Sequence, residues 1–174
     1  MLFRSRNKGG RPEGVSYLLS YLFAEGDARH LNDIYDRPRN RTRQFWTGPV
    51  PGPRFMGPVV VLTAAATFSA GEECAYDLQQ QHRATLMGEV TGGGANPGSP
   101  VALGSGLVAF VPSARAINPV SRTNWEHVGV QPDVMVSAAD ALNTAHVALL
   151  KQRLEVENDP RARQELETAL AGVR

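Results

Sequence analysis

The sequence contains one cysteine, Cys74, so no disulfide can close within the chain. Cysteine usage therefore does not identify the compartment, and a reducing interior is the default expectation. Charge of either sign is also scarce in excess: 18 Lys and Arg against 17 Asp and Glu leave a formal net charge of +1. That balance excludes a global field that would gather nucleic acid or an anionic membrane surface. The longest apolar run, Val59 to Ala66, falls far short of the roughly twenty residues needed to cross a bilayer, so no segment is expected to span a membrane. The first residues lack the apolar core and small-residue cleavage site of a secretory signal. Cytoplasmic placement is the default if Met1 is the true start. The four histidines, His30, His82, His127 and His146, include no pair at ligand spacing, and the cysteine is alone. No metal and no organic cofactor is implied. The chain has no internal repeat or low-complexity tract, and no Gly-Lys-Ser or Gly-Lys-Thr follows Gly92 to Gly94, which argues against a phosphate cradle.

What is present fits one globular domain: 174 residues, 42% of them hydrophobic. Pro12 can begin a helix, with Val15, Leu18, Leu19 and Leu22 at helical spacing up to Phe23. His30 to Phe55 reads as a long excursion with one or two short strands. Pro58 to Thr63 is a β-branched run without alternation, as expected of a central strand buried on both faces. The pattern predicts a helix over 69–82, a strand over 84–88, and a right-handed crossover joining the two strands. Gly92 to Gly98 is a loop by composition and Gly106 to Ser113 a strand. Val128 to Val136 closes the sheet, and two helices follow, from Asp140 to Leu154 and from Asp159 to Leu170.

The segment Thr63-Ala-Ala-Ala-Thr-Phe-Ser-Ala-Gly-Glu72 puts a serine at the start of a helix, after a buried strand and a short loop. A nucleophilic serine benefits from this placement, because unpaired amides and the positive dipole end stabilise an oxyanion there. Ser69 and Glu72 also form Ser-x-x-Glu, a capping box that needs no function. Spacing alone does not separate the two readings.

The wider pattern does. Pro58-Val-Val-Val-Leu-Thr63, Thr67-Phe-Ser-Ala-Gly-Glu72, Arg83-Ala-Thr-Leu-Met-Gly-Glu89, Thr91-Gly-Gly-Gly94 and Val128-Gly-Val-Gln-Pro-Asp133 resemble, in order and spacing, the tail-specific or C-terminal processing serine peptidases. The resemblance is closest to the branch of interphotoreceptor retinoid-binding-protein-like and tricorn-like members. It implies an α/β fold, a Clp/crotonase-like spiral of mainly parallel strands with external helices. It also implies peptide-bond hydrolysis through an acyl-enzyme on Ser69, a peptide or protein substrate, and room for a homo-oligomer. The Asn7-Lys8-Gly9-Gly10 turn resembles the family's oxyanion turn, so Gly9 and Ala70 would donate the two backbone N–H groups; an ordinary loop is the competing reading.

Two departures bear on activity. Many members use a serine/lysine dyad, and Gly94 stands where that lysine would be. Tricorn-like members resemble a tetrad whose glutamate maps to Glu126, which would orient a base or bind a substrate amine, against the plainer reading of a surface loop residue. The tetrad's histidine belongs to a segment upstream of the Asn-x-Gly-Gly turn that residues 1–174 do not include, leaving His127 as the local alternative. Residues 1–174 are thus expected to be the C-terminal part of a catalytic domain. A competing function is a peptide or hydrophobic-ligand binding module, since retinoid-binding relatives carry ligands. A basic stripe, Arg37, Arg39, Arg41 and Arg43 beside Phe45 and Trp46, also resembles a single-strand nucleic-acid surface, although Asp33 and Asp36 dilute it. Cys74, one turn beyond Ser69, is expected to be buried and inert.

Overall fold

The computed structural model describes residues 1–4 and 10–173. Its first sheet is parallel, in the order β1 (Leu2–Arg4), β4 (Val60–Thr63), β5 (Thr85–Gly88) and β9 (Val134–Met135). The second is antiparallel: β2 (His30–Asp36) lies between β3 (Arg41–Trp46) and β8 (Ala114–Ile117). The third is a hairpin of β6 (Gly98–Gly104) and β7 (Leu107–Pro112). The helices are α1 (Pro12–Ser20), α2 (Ala70–Gln80), α3 (Ala141–Val156) and α4 (Pro160–Gly172). The fold is therefore mixed α/β. The expectation of mainly parallel strands is corrected, since three pairings are parallel and three antiparallel among the described residues.

The unalternating Val60-Val-Leu-Thr63 run forms the strand between β1 and β5, and all four residues are buried. Successive side chains of a strand point to opposite faces, so each side of this sheet needs its own cover. On one side Val61 and Leu86 join Leu19, Cys74 and Leu78 of α1 and α2. On the other, Val60, Leu62 and Met87 meet Ala141 and Ala145 of α3. Burying a side chain such as Leu78 stabilises the fold by about 2 kcal/mol.

Side chains hold the connections. Arg83, at the turn between α2 and β5, donates to the carbonyls of Leu22, Phe55 and Gly57 and so fastens both ends of the excursion. Asp133 accepts the Leu86 N–H at 2.7 Å and the Gln79 side-chain amide at 2.9 Å. The closing strand is shorter than expected, two residues instead of Val128 to Val136. Pro132 has no N–H for a ladder, and Gly129 turns through a φ of 70°.

Strands β6 and β8 were not expected. The first pairs with β7 to form an arm whose Leu103, Leu107, Val108 and Phe110 are all exposed. No helix among the described residues is long and apolar enough to cross a membrane.

Candidate active site

Ser69 is the N-cap of α2, reached from β4 through the loop 64–68. Its backbone has φ 54° and ψ −124°, which L-residues rarely adopt and which costs of order 1–3 kcal/mol where it persists. A serine held so at a sharp strand-to-helix turn is presented clear of both elements, as in nucleophile elbows. Ser69 is exposed and lines a cleft of about 540 Å³.

The turn is held by Glu72, which is fully buried. Its carboxylate accepts the Ser69 N–H at 2.8 Å, the Gly94 N–H at 2.9 Å, the Gly93 N–H at 2.6 Å and the Thr91 hydroxyl at 2.5 Å. The Thr91 oxygen in turn accepts the Val130 N–H at 2.7 Å. Glu72 thus does more than cap a helix: it ties the serine turn to the glycine loop and, through Thr91, to the segment after Glu126. The Ser-x-x-Glu spacing signalled only the bond to Ser69.

Helix α2 also offers an amide. In its first turn the Gly71 N–H donates to the Phe68 carbonyl, and those of Glu72 and Glu73 donate to the Ser69 carbonyl. The Ala70 N–H is left without an acceptor among the described residues, as an oxyanion donor requires. Gly9 lies outside the described residues. Its neighbour Gly10 lines the cleft and packs so closely on Ala70 that a Cβ on Gly10 would stand 2.8 Å from the Ala70 Cβ. Gly10, the last residue of the Asn-x-Gly-Gly motif, therefore lies against the serine turn.

Glu126 lines the same cleft. Its Oε2 accepts the Ala95 and Asn96 N–H groups at 2.6 and 2.8 Å, and its Oε1 lies 3.8 Å from His127 Nε2, too far for a hydrogen bond. It is an anchor for the loop after the glycines, with one oxygen toward His127. His127 lines the cleft with a φ of 64° and is largely exposed. The other histidines are occupied or distant. His30 is paired with Asp33 at 2.7 Å and stacked on Trp46, His146 belongs to α3, and His82 lines a separate hollow of about 690 Å³ near the far end of α2.

The Phe68 ring lies over Gly94, the position of the lysine in dyad members. A Cβ on Gly94 would sit 2.1 Å from the tip of the Phe68 ring, and one on Gly92 would be 2.8 Å from its edge. A side chain at 94 therefore requires the Phe68 ring, which is 41% exposed, to turn aside.

Beneath the cleft lies a second buried polar group. Asn32, fully buried on β2, donates to Glu73 at 3.0 Å, and Asn118 donates to Asp77 at 3.2 Å and to the Leu31 carbonyl at 3.1 Å. Burial, aided by the charge of Glu13, pushes the Glu73 acid up to about 7 despite the bond from Asn32. Burial and then Glu73 raise Asp77 well above the carboxylate range. Cys74 is 3% exposed, and burial pushes its thiol upward, as suits an inert side chain. Sequence reasoning missed Glu73 and Asn32, because their proximity depends on β2 crossing α2.

Two of the four arginines of the basic stripe are paired. Arg39 pairs with Asp36 and Arg43 with Glu13, Phe45 is buried, and Trp46 lies against His30.

A family model, peptidase family S41, matches residues 5–136. The chain belongs to that family. Among solved structures it is similar to the photosystem II D1 C-terminal processing protease, at 26% identity and a TM-score of 0.60, over 79% of this chain and 34% of that one. A candidate peptidase from Parabacteroides merdae ATCC 43184 matches at 20% identity and a TM-score of 0.69, over 91% of this chain and 53% of that one. A lipoprotein from Streptococcus agalactiae matches at 16% identity and a TM-score of 0.63, over 87% and 54%. The last two show likeness of fold alone. This S41 chain spans about a third to a half of the length of these structures.

Proposed function

We propose that the cleft is the acylation site of a serine-type peptidase, with Ser69 as its nucleophile. The observation that carries this reading is the strained backbone of Ser69 at the head of α2, held by a buried carboxylate that accepts four hydrogen bonds. The Ser69 Oγ attacks the scissile carbonyl, and the developing oxyanion receives the Ala70 N–H and, by family analogy, that of Gly9. The proton passes to a base and then to the leaving amine, and water releases the acyl group from Ser69. Glu126 orients that base or holds the substrate's amine through its Oε1. Either His127 or a segment beyond these 174 residues supplies the base, since position 94 holds glycine where the dyad's lysine would stand. We also read the parallel β4–α2–β5 unit as part of a Clp/crotonase-like spiral, and residues 1–174 as part of a larger catalytic domain whose substrate is a peptide or protein.

A second reading is a binding module without turnover. It is favoured by the glycine at 94, which leaves the dyad without its lysine. A fluorophosphonate separates the two: covalent labelling of Ser69 supports the peptidase, whereas an unlabelled serine in the longer protein leaves the binding module.

A further inference from the structure

The inner wall of the cleft is built unlike its mouth. Ile34, Ala70, Ala116 and Trp125 give it apolar sides, and Glu73 and Asn32 give it polar acceptors. Two of its buried polar atoms have no partner: the Asn32 Oδ1 acceptor and the Trp125 Nε1–H donor. Asn32 is 0% exposed and Trp125 2%. An unpaired buried polar atom costs about 1–3 kcal/mol; a donor-only ligand head can satisfy the Asn32 Oδ1 acceptor, whereas the Trp125 N–H, itself a donor, serves as a reporter beside it. Glu73 makes one hydrogen bond, from Asn32, and retains acceptor capacity.

From this juxtaposition we propose that Glu73 and the Asn32 carbonyl oxygen form a recognition pocket for a basic side chain, arginine or lysine, of the peptide held at Ser69. The proposal rests on the peptidase reading for the identity of the ligand, though the pocket itself does not require Ser69 to react. The offset fits. Glu73 follows Ser69 by four residues, about 6 Å of helical rise, which is comparable with an extended arginine or lysine side chain. The chemistry fits as well: the alkyl stem lies along the apolar walls, and the head donates to both acceptors. A guanidinium suits two neighbouring acceptors best, being planar and weakly hydrated. The surrounding charges favour a cation. Glu13 on α1 acts on Glu73, and the Arg43 guanidinium of β3 is engaged by Glu13; Asp77 on α2, itself raised by burial and by Glu73, adds no positive charge. A cation beside Glu73 favours its ionised form, against the burial that raises the acid to about 7.

The test uses butylguanidinium and its neutral isostere butylurea as probes, titrated into the chain and followed by the indole N–H resonance of Trp125. Butylguanidinium should bind at least tenfold more tightly than butylurea and shift that resonance. Glu73→Gln, which keeps the side chain's shape and can still accept from Asn32, should erase the preference. Equal binding, no binding, an unmoved Trp125 resonance, or a preference that survives Glu73→Gln but is lost in Glu126→Gln would overturn the pocket. The probe comparison in the unaltered chain needs no variant to fold. Reaction with aryl phosphonate diesters bearing lysine or leucine next to phosphorus, in the longer protein, scores the peptidase separately. Cation binding without labelling keeps the pocket and removes the peptidase; labelling at equal rates by both diesters keeps the peptidase and removes the pocket.

Discussion

Glu72 and Glu73 are consecutive, both buried, and face different neighbours because one residue turns an α-helix by about 100°. Toward the glycine loop, Glu72 accepts four hydrogen bonds, and the loop 91–94 and the Ser69 turn share it. Toward β2 and β8, Glu73 and Asp77 receive one hydrogen bond each, both are driven toward the neutral acid, and Asn32 Oδ1 and Asp77 Oδ2 are left unpaired. One face of the helix uses its polar groups to fix the nucleophile's backbone. The other face leaves acceptors under-used beside the cleft, the arrangement expected where a ligand completes the site.

The largest expected effect concerns the bond-making atom. In an active longer form of the protein, Ser69→Ala should lower kcat by several orders of magnitude, whereas Glu126→Ala should lower it by about ten- to ten-thousand-fold. Residues 1–174 alone should show little or no turnover in a peptide-cleavage assay. Similar losses from both substitutions would remove the distinction between nucleophile and supporting anchor.

The next effect separates the two faces. Glu72→Ala orphans three backbone amides and the Thr91 hydroxyl and should cost about 3 kcal/mol, read as a lower urea midpoint at unchanged slope. Glu73→Gln at pH 8 should cost less than about 1 kcal/mol or stabilise, since it removes a poorly satisfied buried acid. Equal costs would mean that the two carboxylates do the same work.

A smaller effect follows from titration. The Glu73 acid rises from 4.5 to about 7 on folding, so between those values the folded chain holds a proton that the unfolded chain releases. Its contribution to stability is therefore fully present below about pH 4.5, falls as pH rises to about 7, and changes no further above that. Subtracting the pH profile of Glu73→Gln from that of the parent chain gives the slope of Glu73 together with the part of the Asp77 shift that Glu73 causes, and both carry the same sign. A parent-minus-variant difference that rises with pH would contradict the assignment.

The smallest effect lies on the hairpin arm. Leu107 is 65% exposed at its tip, and Leu107→Ser should change stability by less than about 0.5 kcal/mol.

Much of this was legible in residue types and order. The β-branched run of β4, the helix after Ser69 and the return strand follow from hydrophobic pattern, and Phe68 to Glu72 with Thr91 to Gly94 marked the family before any fold was known. Strands β6 and β8 were not legible, because the Gly and Pro of Gly98-Ser-Pro-Val-Ala-Leu-Gly104 break any strand pattern, and Ala114 to Ile117 is too short to show a period. The four-way role of Glu72 and the meeting of Asn32 with Glu73 arise from segments 19 to 41 residues apart, which local spacing does not encode. The position of the Phe68 ring over Gly94 was likewise hidden, since the sequence shows a missing lysine but not what lies over that position.

The most direct test of the central claim is fluorophosphonate labelling of the chain and of a longer form that includes the upstream region, followed by peptide mass spectrometry. The account predicts a stoichiometric adduct on Ser69 in the longer form, absent after Ser69→Ala and weakened by Glu72→Ala. An adduct on another serine, or none in a longer form that is folded, would contradict it.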